Sequence, residues 1–183
     1  MLKPMMAQKA DTSFDDERTI VESKMDGFRL LLSTVDCVKA YTRHGNEVTN
    51  RFPELWTPPV PADTILDREL IVIHEGRPDF GKVMKRLMTQ DSGKVQQLTR
   101  THPVQYVVFD LLQHRGQRVT YLPLMERKTL LEETLQEDDS FSRIRFVEGN
   151  GTGLFQATND AGLEGIVIKR KYSIYEVRHR SWA

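Results

Sequence analysis

The sequence predicts one α+β domain in which mostly antiparallel sheets are flanked by helices. Apolar runs of strand length alternate with segments of helical spacing, and no linker, repeat or low-complexity tract divides the 183 residues. A chain of this length can bury a substantial core. Hydrophobic residues make up 39% and charged residues 28% of the chain, which is ordinary for a globular protein.

The strand pattern is clearest where apolar residues run almost without interruption. The run 106–112 is typical of a buried strand, and the segments 28–33 and 38–42 predict a hairpin with Asp36 near its turn. Prolines make 52–62 a rigid loop. The predicted strands are 18–22, 28–33, 38–42, 65–73, 106–112, 144–147 and 165–170.

Three segments have the spacing of helices. In 80–88, Val83, Met84 and Leu87 share one face. The segment 124–135 is amphipathic and follows Pro123, a residue that often begins helices. A third helix is predicted over 154–161, ending at Gly162.

Composition narrows the classes of function. Basic and acidic residues balance at 26 each, which argues mildly against a dedicated DNA-binding domain. No apolar run is long enough to cross a membrane, no signal peptide is recognisable, and Cys37 is the single cysteine, so we expect a cytoplasmic protein. The five histidines lack metal-ligand spacing. A local basic stretch at 169–180, with Tyr172 and Tyr175 among its charges, suits either phosphate contacts or a solvated strand edge.

The first chemical signal is the cluster Lys24-Met25-Asp26-Gly27-Phe28-Arg29. Gly27 permits a tight bend, after which Lys24 and Arg29 can face one anion. A lysine amine attacks phosphorus only in its neutral form, which burial or nearby cations favour. Taken alone, six such residues are more often an ordinary charged turn.

Four segments downstream strengthen that signal, although each has a bland interpretation as surface turn, solvated face, core residue or structural ion pair. Arg43 follows a strand, Asp67 and Glu69 share one face of a strand, and Phe109 lies in the buried run. Glu164 and Lys169 fall on opposite faces of an ideal strand, so they meet one ligand only if Glu164 acts from the bend before Gly165.

In this order the segments resemble the motifs of the covalent nucleotidyltransferases, and most closely those of ATP-dependent DNA ligases. Residues 24–29 resemble motif I, KxDGxR; Arg43 and Gly45 resemble motif Ia; and Leu66-Asp67-Arg68-Glu69 resembles motif III. Phe109-Asp110-Leu111-Leu112 resembles motif IIIa, and residues 164–169 resemble motif IV. The resemblance runs along nearly the whole chain and is nearest to small bacterial or phage ligases and to the ligase domain of bacterial end-joining enzymes.

The resemblance implies a fold, a reaction and a set of roles. The fold is the covalent nucleotidyltransferase (ATP-grasp-like) adenylation domain, and the reaction begins when Lys24 takes AMP from ATP for transfer to the 5′-phosphate of nicked double-stranded DNA. The other implied roles are adenine reading for Glu22, stacking on the base for Phe109, ribose binding for Arg29 and Glu69, phosphate contact for Arg43 and Lys169, and metal placement for Glu164. Asp67, Glu69 and Glu164 could supply oxygen ligands to Mg²⁺. A monomer is the expected assembly, and end-joining proteins are the expected partners.

Two features depart from the family pattern. Arg68 stands where motif III usually has glycine, and residues 181–183 reach only the tryptophan of motif V, Trp182. We therefore expect 1–183 to be an adenylation domain without the motif V lysines and without the oligonucleotide-binding (OB) domain, slow in self-adenylation and unable to seal nicks alone. The alternatives are an RNA ligase or capping-type transferase, and a non-catalytic module that binds nucleotides or DNA ends.

Overall fold

A computed structural model describes residues 3–177 and 180–181 of the chain. Its strands, in chain order, are β1 (Met6–Ala7), β2 (Thr19–Ser23), β3 (Phe28–Ser33), β4 (Lys39–Thr42), β5 (Ile65–Ile71), β6 (Ile73–His74), β7 (Arg77–Pro78), β8 (Gln105–His114), β9 (Gln117–Arg118), β10 (Phe141–Arg143), β11 (Phe146–Glu148), β12 (Ile166–Arg170) and β13 (Arg180–Ser181). Its α-helices are α1 (Phe80–Met88), α2 (Ser92–Thr101), α3 (Leu124–Thr134) and α4 (Gly151–Asp160). Trp182 of the expected motif V, and Arg178 of the basic stretch, lie outside the described residues.

Two sheets carry the architecture. The larger has six strands in the order β10-β8-β5-β3-β4, with β9 pairing to β8, and the smaller has three strands in the order β11-β2-β12. All pairs in these sheets are antiparallel except β10 with β8. The predicted α+β class with mostly antiparallel sheets is confirmed.

The main core lies on one face of the larger sheet. Strand β5 shows how the sequence builds this face, because its alternate residues Leu66, Arg68 and Leu70 are fully buried on the core side. Helix α1 adds Val83 and Leu87, and helix α3 adds Leu131 together with the following Leu135. Burial of each such apolar side chain contributes about 1.5–3 kcal/mol relative to exposure.

Most predicted elements are confirmed, with shifted ends. Helix α1 matches its prediction at both ends, and α3 ends one residue early. Helix α4 begins at Gly151 rather than residue 154, because the Asn150 side chain caps it by accepting from the backbone N–H of Gly153 at 2.9 Å. The predicted strand 65–73 breaks after Ile71, and the predicted strand 144–147 is displaced to β11.

The predicted proline-rich loop contains a short 3₁₀ helix, Pro53–Leu55, and another, Thr49–Arg51, precedes it. The hairpin of β3 and β4 turns through Asp36, whose φ of 59° lies in the left-handed region that aspartate tolerates. Within the described part of the chain, no helix has the length and apolarity that crossing a membrane requires.

Candidate active site

Lys24 follows the last residue of β2 and is fixed there by its backbone. Its N–H donates to the carbonyl of Gly165 at 2.8 Å, which ties the predicted motif I to the predicted motif IV. The ammonium forms an ion pair with the carboxylate of Glu164, and both side chains are partly open to solvent. Gly165 has a φ of 138°, a conformation that favours glycine, so the chain bends at this point and Glu164 stands ahead of β12.

The glycine of the Lys24 cluster is required by close packing. A Cβ on Gly27 would lie 2.8 Å from the Glu69 Cγ and from the Ile71 Cγ2, and nearer still to the Leu70 carbonyl oxygen. Real Cβ atoms do not approach that closely, so any larger residue would displace β5. Gly27 therefore lets the Lys24 loop pack directly against the strand that carries Glu69.

Glu22 lies on β2, is 3% exposed and is paired with two lysines. Lys128 of helix α3 donates to its Oε1 and Lys169 of β12 donates to its Oε2, the second contact at 2.5 Å. The Lys169 ammonium also lies 4.9 Å from the centre of the Phe109 ring. Burial lowers the pKa of Lys128, an effect that the Glu22 carboxylate opposes.

Arg29 on β3 is held by Asp67 on β5 through two hydrogen bonds, Nε to Oδ1 at 2.9 Å and Nη2 to Oδ2 at 2.6 Å. The Tyr175 hydroxyl donates to Asp67 Oδ2 at 2.5 Å and accepts from the Met5 N–H at 2.9 Å. The guanidinium of Arg29 also lies 5.1 Å from the centre of the Phe109 ring. Burial opposes the charge of Arg29, but Asp67 outweighs it and raises the pKa of Arg29 above its usual value.

The carboxyl group of Glu69 is a weaker acid than an ordinary glutamate side chain. Burial raises the pKa of Glu69 to about 8, while Arg29 and Lys24 act in the opposite direction. At neutral pH this carboxyl is largely protonated, and an added cation beside it would favour its ionised form. Perturbed carboxyl groups of this kind are concentrated at functional sites.

The predicted site residues do not all line one cavity. A cavity of about 580 Å³ opens beside Lys24 and is lined by β12, by Phe155 and by residues 7–14 of the N-terminal segment. Phe109 and Glu22 do not line it. The Lys169 ammonium contacts both of these side chains. Arg43 is exposed beyond β4 and donates to the neighbouring His44 at 3.0 Å. It makes no hydrogen bond or ion pair with the other predicted site residues among those described.

The carboxylates present fit a magnesium ion shared with a nucleotide. Of the three carboxylates suggested as sources of Mg²⁺ ligands, Asp67 has both oxygens engaged by Arg29 and Tyr175. In residues 3–177, no group of three His, Cys, Asp or Glu side chains converges as a metal site. Glu69 and Glu164 remain, both close enough to Lys24 to interact with it, and Mg²⁺ is commonly held by one or two carboxylates plus substrate phosphates.

Two residues of the site were not predicted from the sequence. Lys128 lies at helical spacing from Leu124, Leu131 and Leu135, so a lysine on the buried face of an amphipathic helix was the available signal. Tyr175 was noticed only as part of the basic stretch, and nothing local distinguishes it from the exposed Tyr172.

Comparison with known proteins decides the family. The sequence profile of the ATP dependent DNA ligase domain matches residues 4–183. The chain belongs to this ATP-dependent DNA ligase domain family. It is 41% identical to the SPbeta prophage-derived DNA ligase-like protein LigB of Bacillus subtilis, over 98% of this chain and 64% of LigB. It is 32% identical to the multifunctional non-homologous end joining protein LigD of Pseudomonas aeruginosa, over 86% of this chain and 18% of LigD.

Solved structures agree with the ligase-domain assignment. The ligase domain of LigD from M. tuberculosis superposes with a TM-score of 0.78 at 25% identity, covering 98% of this chain and 57% of that one. A mycobacterial DNA ligase D complexed with ATP and MES gives a TM-score of 0.77 with the same coverage. The predicted nucleotidyltransferase fold is therefore confirmed, and the chain spans less than two thirds of these relatives.

Proposed function

We propose that the chain is the adenylation core of an ATP-dependent DNA ligase, with Lys24 as the nucleophile. The neutral Nζ attacks the α-phosphorus of ATP, an N–P bond forms, and the bond to pyrophosphate breaks. The AMP then passes to the 5′-phosphate of a DNA nick, from which the 3′-hydroxyl displaces it. The observation that carries this proposal is that Lys24 stands beside Glu164, anchored to Gly165, within a chain of the ligase-domain family.

The roles proposed for the other residues follow their positions. Glu22 contacts the adenine base, and Phe109 stacks on that base. Arg29 and Glu69 bind the ribose. The side chains of Arg29 and Lys169 both lie about 5 Å from the Phe109 ring, which supports one pocket for base, sugar and phosphate. Lys169 contacts the α-phosphate, and Arg43 contacts phosphate from the rim.

Magnesium completes the proposed site. Glu164 and Glu69 would hold Mg²⁺ together with phosphate oxygens, and the ion would neutralise charge on the transferring phosphate. Within the described residues, the ion-pair partner of Lys24 is Glu164. Movement of Glu164 from Lys24 to the metal ion would release the Lys24 side chain from this ion pair.

The proposed substrate is nicked double-stranded DNA. The similarity to LigB and LigD supports service in phage-related or end-joining reactions of repair, recombination or replication. The exposed side chains of Arg43 and Arg170 offer phosphate contacts near the site, a role whose strength would fall as salt rises.

Intact-mass spectrometry after incubation with ATP and Mg²⁺ tests the first step. We expect the mass of one adenylyl group on the unaltered protein and none on Lys24→Ala. Lys39→Ala, which removes a lysine from β4, is the matched control and should be adenylated normally.

Each other outcome has a definite meaning. An adduct on Lys24→Ala would refute the nucleophile. Binding of ATP by calorimetry without any adduct would support a nucleotide-binding module instead, and GTP used in preference to ATP would support a capping-type transferase.

A further inference from the structure

Glu22, Lys128 and Lys169 form a cluster in which two ammonium groups face a single carboxylate. Lys128 and Lys169 both pair with Glu22, which is almost fully buried. Lys128 is itself 8% exposed and lies 5.7 Å from the centre of the Phe146 ring. A buried carboxylate needs a cationic partner, but a single lysine would satisfy that need.

The second lysine occupies the place proposed for the base. Its ammonium lies between the Phe109 ring, at 4.9 Å, and the Glu22 carboxylate, at 2.5 Å. In the proposed function these are the two groups that contact adenine. The base and the Lys169 ammonium cannot fill the same space, so entry of the nucleotide must move Lys169 away from Glu22.

We propose that Lys128 is a positioning residue that keeps Glu22 charge-balanced after the nucleotide displaces Lys169. This inference rests on the proposed function, in which Glu22 reads adenine and Lys169 transfers to the phosphate. Lys128 reaches Glu22 from helix α3, outside the pair of strands that carries Glu22 and Lys169, so it can stay when Lys169 leaves. Without it, departure of Lys169 would leave a buried carboxylate with no cation, which is strongly unfavourable.

In the unliganded protein, Lys128 and Lys169 each donate to one oxygen of Glu22. When the base binds, only Lys128 should keep this contact. In Lys128→Met, Lys169 still pairs with Glu22, so the protein folds, yet the base must now separate the only remaining pair. In Lys169→Met, Lys128 still pairs with Glu22 and the place for the base is already clear. Adenosine, which has no phosphate, is the probe because it isolates this difference from phosphate binding.

Adenosine and ATP titrations of the purified chain, followed by calorimetry or by ligand NMR, test the inference. We expect Lys128→Met to weaken adenosine binding about tenfold or more. We expect Lys169→Met to leave adenosine binding unchanged or tighter while weakening ATP binding. Lys128→Arg retains the cation and should bind adenosine within about threefold of the unaltered protein.

The outcomes separate this inference from the proposed function. Equal shifts in adenosine affinity for the two methionine variants would overturn the role of Lys128 and leave the proposed function standing. The same holds if Lys128→Met binds adenosine normally. Failure of the unaltered chain to bind either adenosine or ATP would overturn both, whereas binding without a covalent adduct would count only against the proposed chemistry.

Discussion

Each face of strand β5 buries a charged side chain, but only one of the two charges has hydrogen-bond partners. On the face of the candidate site, Asp67 is fully buried and receives hydrogen bonds from Arg29 and Tyr175. On the core face, the next residue, Arg68, is equally buried, but its three guanidinium nitrogens have no hydrogen-bond partner among the described residues. Its contact is the Tyr106 ring, whose centre lies 4.3 Å from Cζ.

The contrast separates a charge that organises the site from one that the fold tolerates. Asp67 fixes Arg29, and through Arg29 the ribose end of the proposed pocket. Burial lowers the pKa of Arg68 to about 10, which marks an unfavourable environment for its charge. Arg68 stands where the resemblance to motif III leads us to expect glycine, and nothing in the structure explains its presence there.

The largest effect should come from Asp67→Asn. It leaves Arg29 and Tyr175 without their charged acceptor, and we expect a loss of about 3 kcal/mol in the free energy of unfolding, together with weaker ATP binding. Urea denaturation measures the first and calorimetry the second. Asp63→Asn is the control, because Asp63 is exposed at a φ of 56° that asparagine also tolerates. A similar loss of unfolding free energy in both variants would show that the Asp67 carboxylate does not contribute more to stability than an exposed aspartate.

A change of opposite sign is expected for Arg68→Met. Removal of the unpaired charge should stabilise the fold by about 2 kcal/mol, since apolar replacements of buried charge commonly do so. Because the folded-state pKa lies below that of the unfolded chain, the penalty is fully present below about pH 10 and fades as pH rises through that value. The gain should therefore be the same at pH 6 and pH 8.

The matched control for that variant is Arg145→Met, since the Arg145 side chain is 77% exposed. We expect it to stay within about 0.5 kcal/mol of the unaltered protein. A loss of stability in Arg68→Met would show that the stack on Tyr106 outweighs the cost of burying the charge.

The smallest effect should come from Tyr175→Phe, which keeps the ring and removes the hydroxyl. Asp67 then retains only Arg29, and the Met5 N–H loses its acceptor, so we expect a loss of about 1 kcal/mol and a fall of about 2–4 °C in Tm. Thermal unfolding followed by circular dichroism measures it. Tyr172→Phe changes a side chain that is 75% exposed and should leave Tm unaltered. Equal Tm values for the two variants would place Tyr175 outside the Asp67 network.

Local pattern predicted the elements that bury a strong apolar stripe. Helix α1 and strand β8 are of this kind, and both were recognised from their spacing. Helix α2 was missed because it buries only Val95 and Leu98, although the Asp91 side chain caps it by accepting from the Lys94 N–H at 2.9 Å. The parallel pairing of β10 with β8 depends on tertiary contacts that no local pattern reports.

For the candidate site, too, sequence pattern predicted some features, whereas others depend on tertiary contacts. Lys24, Glu164 and the other motif residues could be selected from linear order, and the period of two placed Asp67 and Glu69 on one face. Spacing could not show that Asp67 is engaged by Arg29 while Glu69 is left with a raised pKa. That distinction, like the Lys128 contact with Glu22, arises from partners that are brought together only by folding.

The hydroxyl of Tyr175 also bears on how the protein folds in time. It joins Met5 and Asp67, which are separated from it by 170 and 108 positions along the chain. Contacts that close such long loops form slowly, because chain entropy must be lost before they are made. The hairpin of β3 and β4 closes a much shorter loop and should form earlier. The Tyr175 hydroxyl, which completes the hydrogen-bond partners of Asp67, should therefore reach its place after Arg29 is already on its strand.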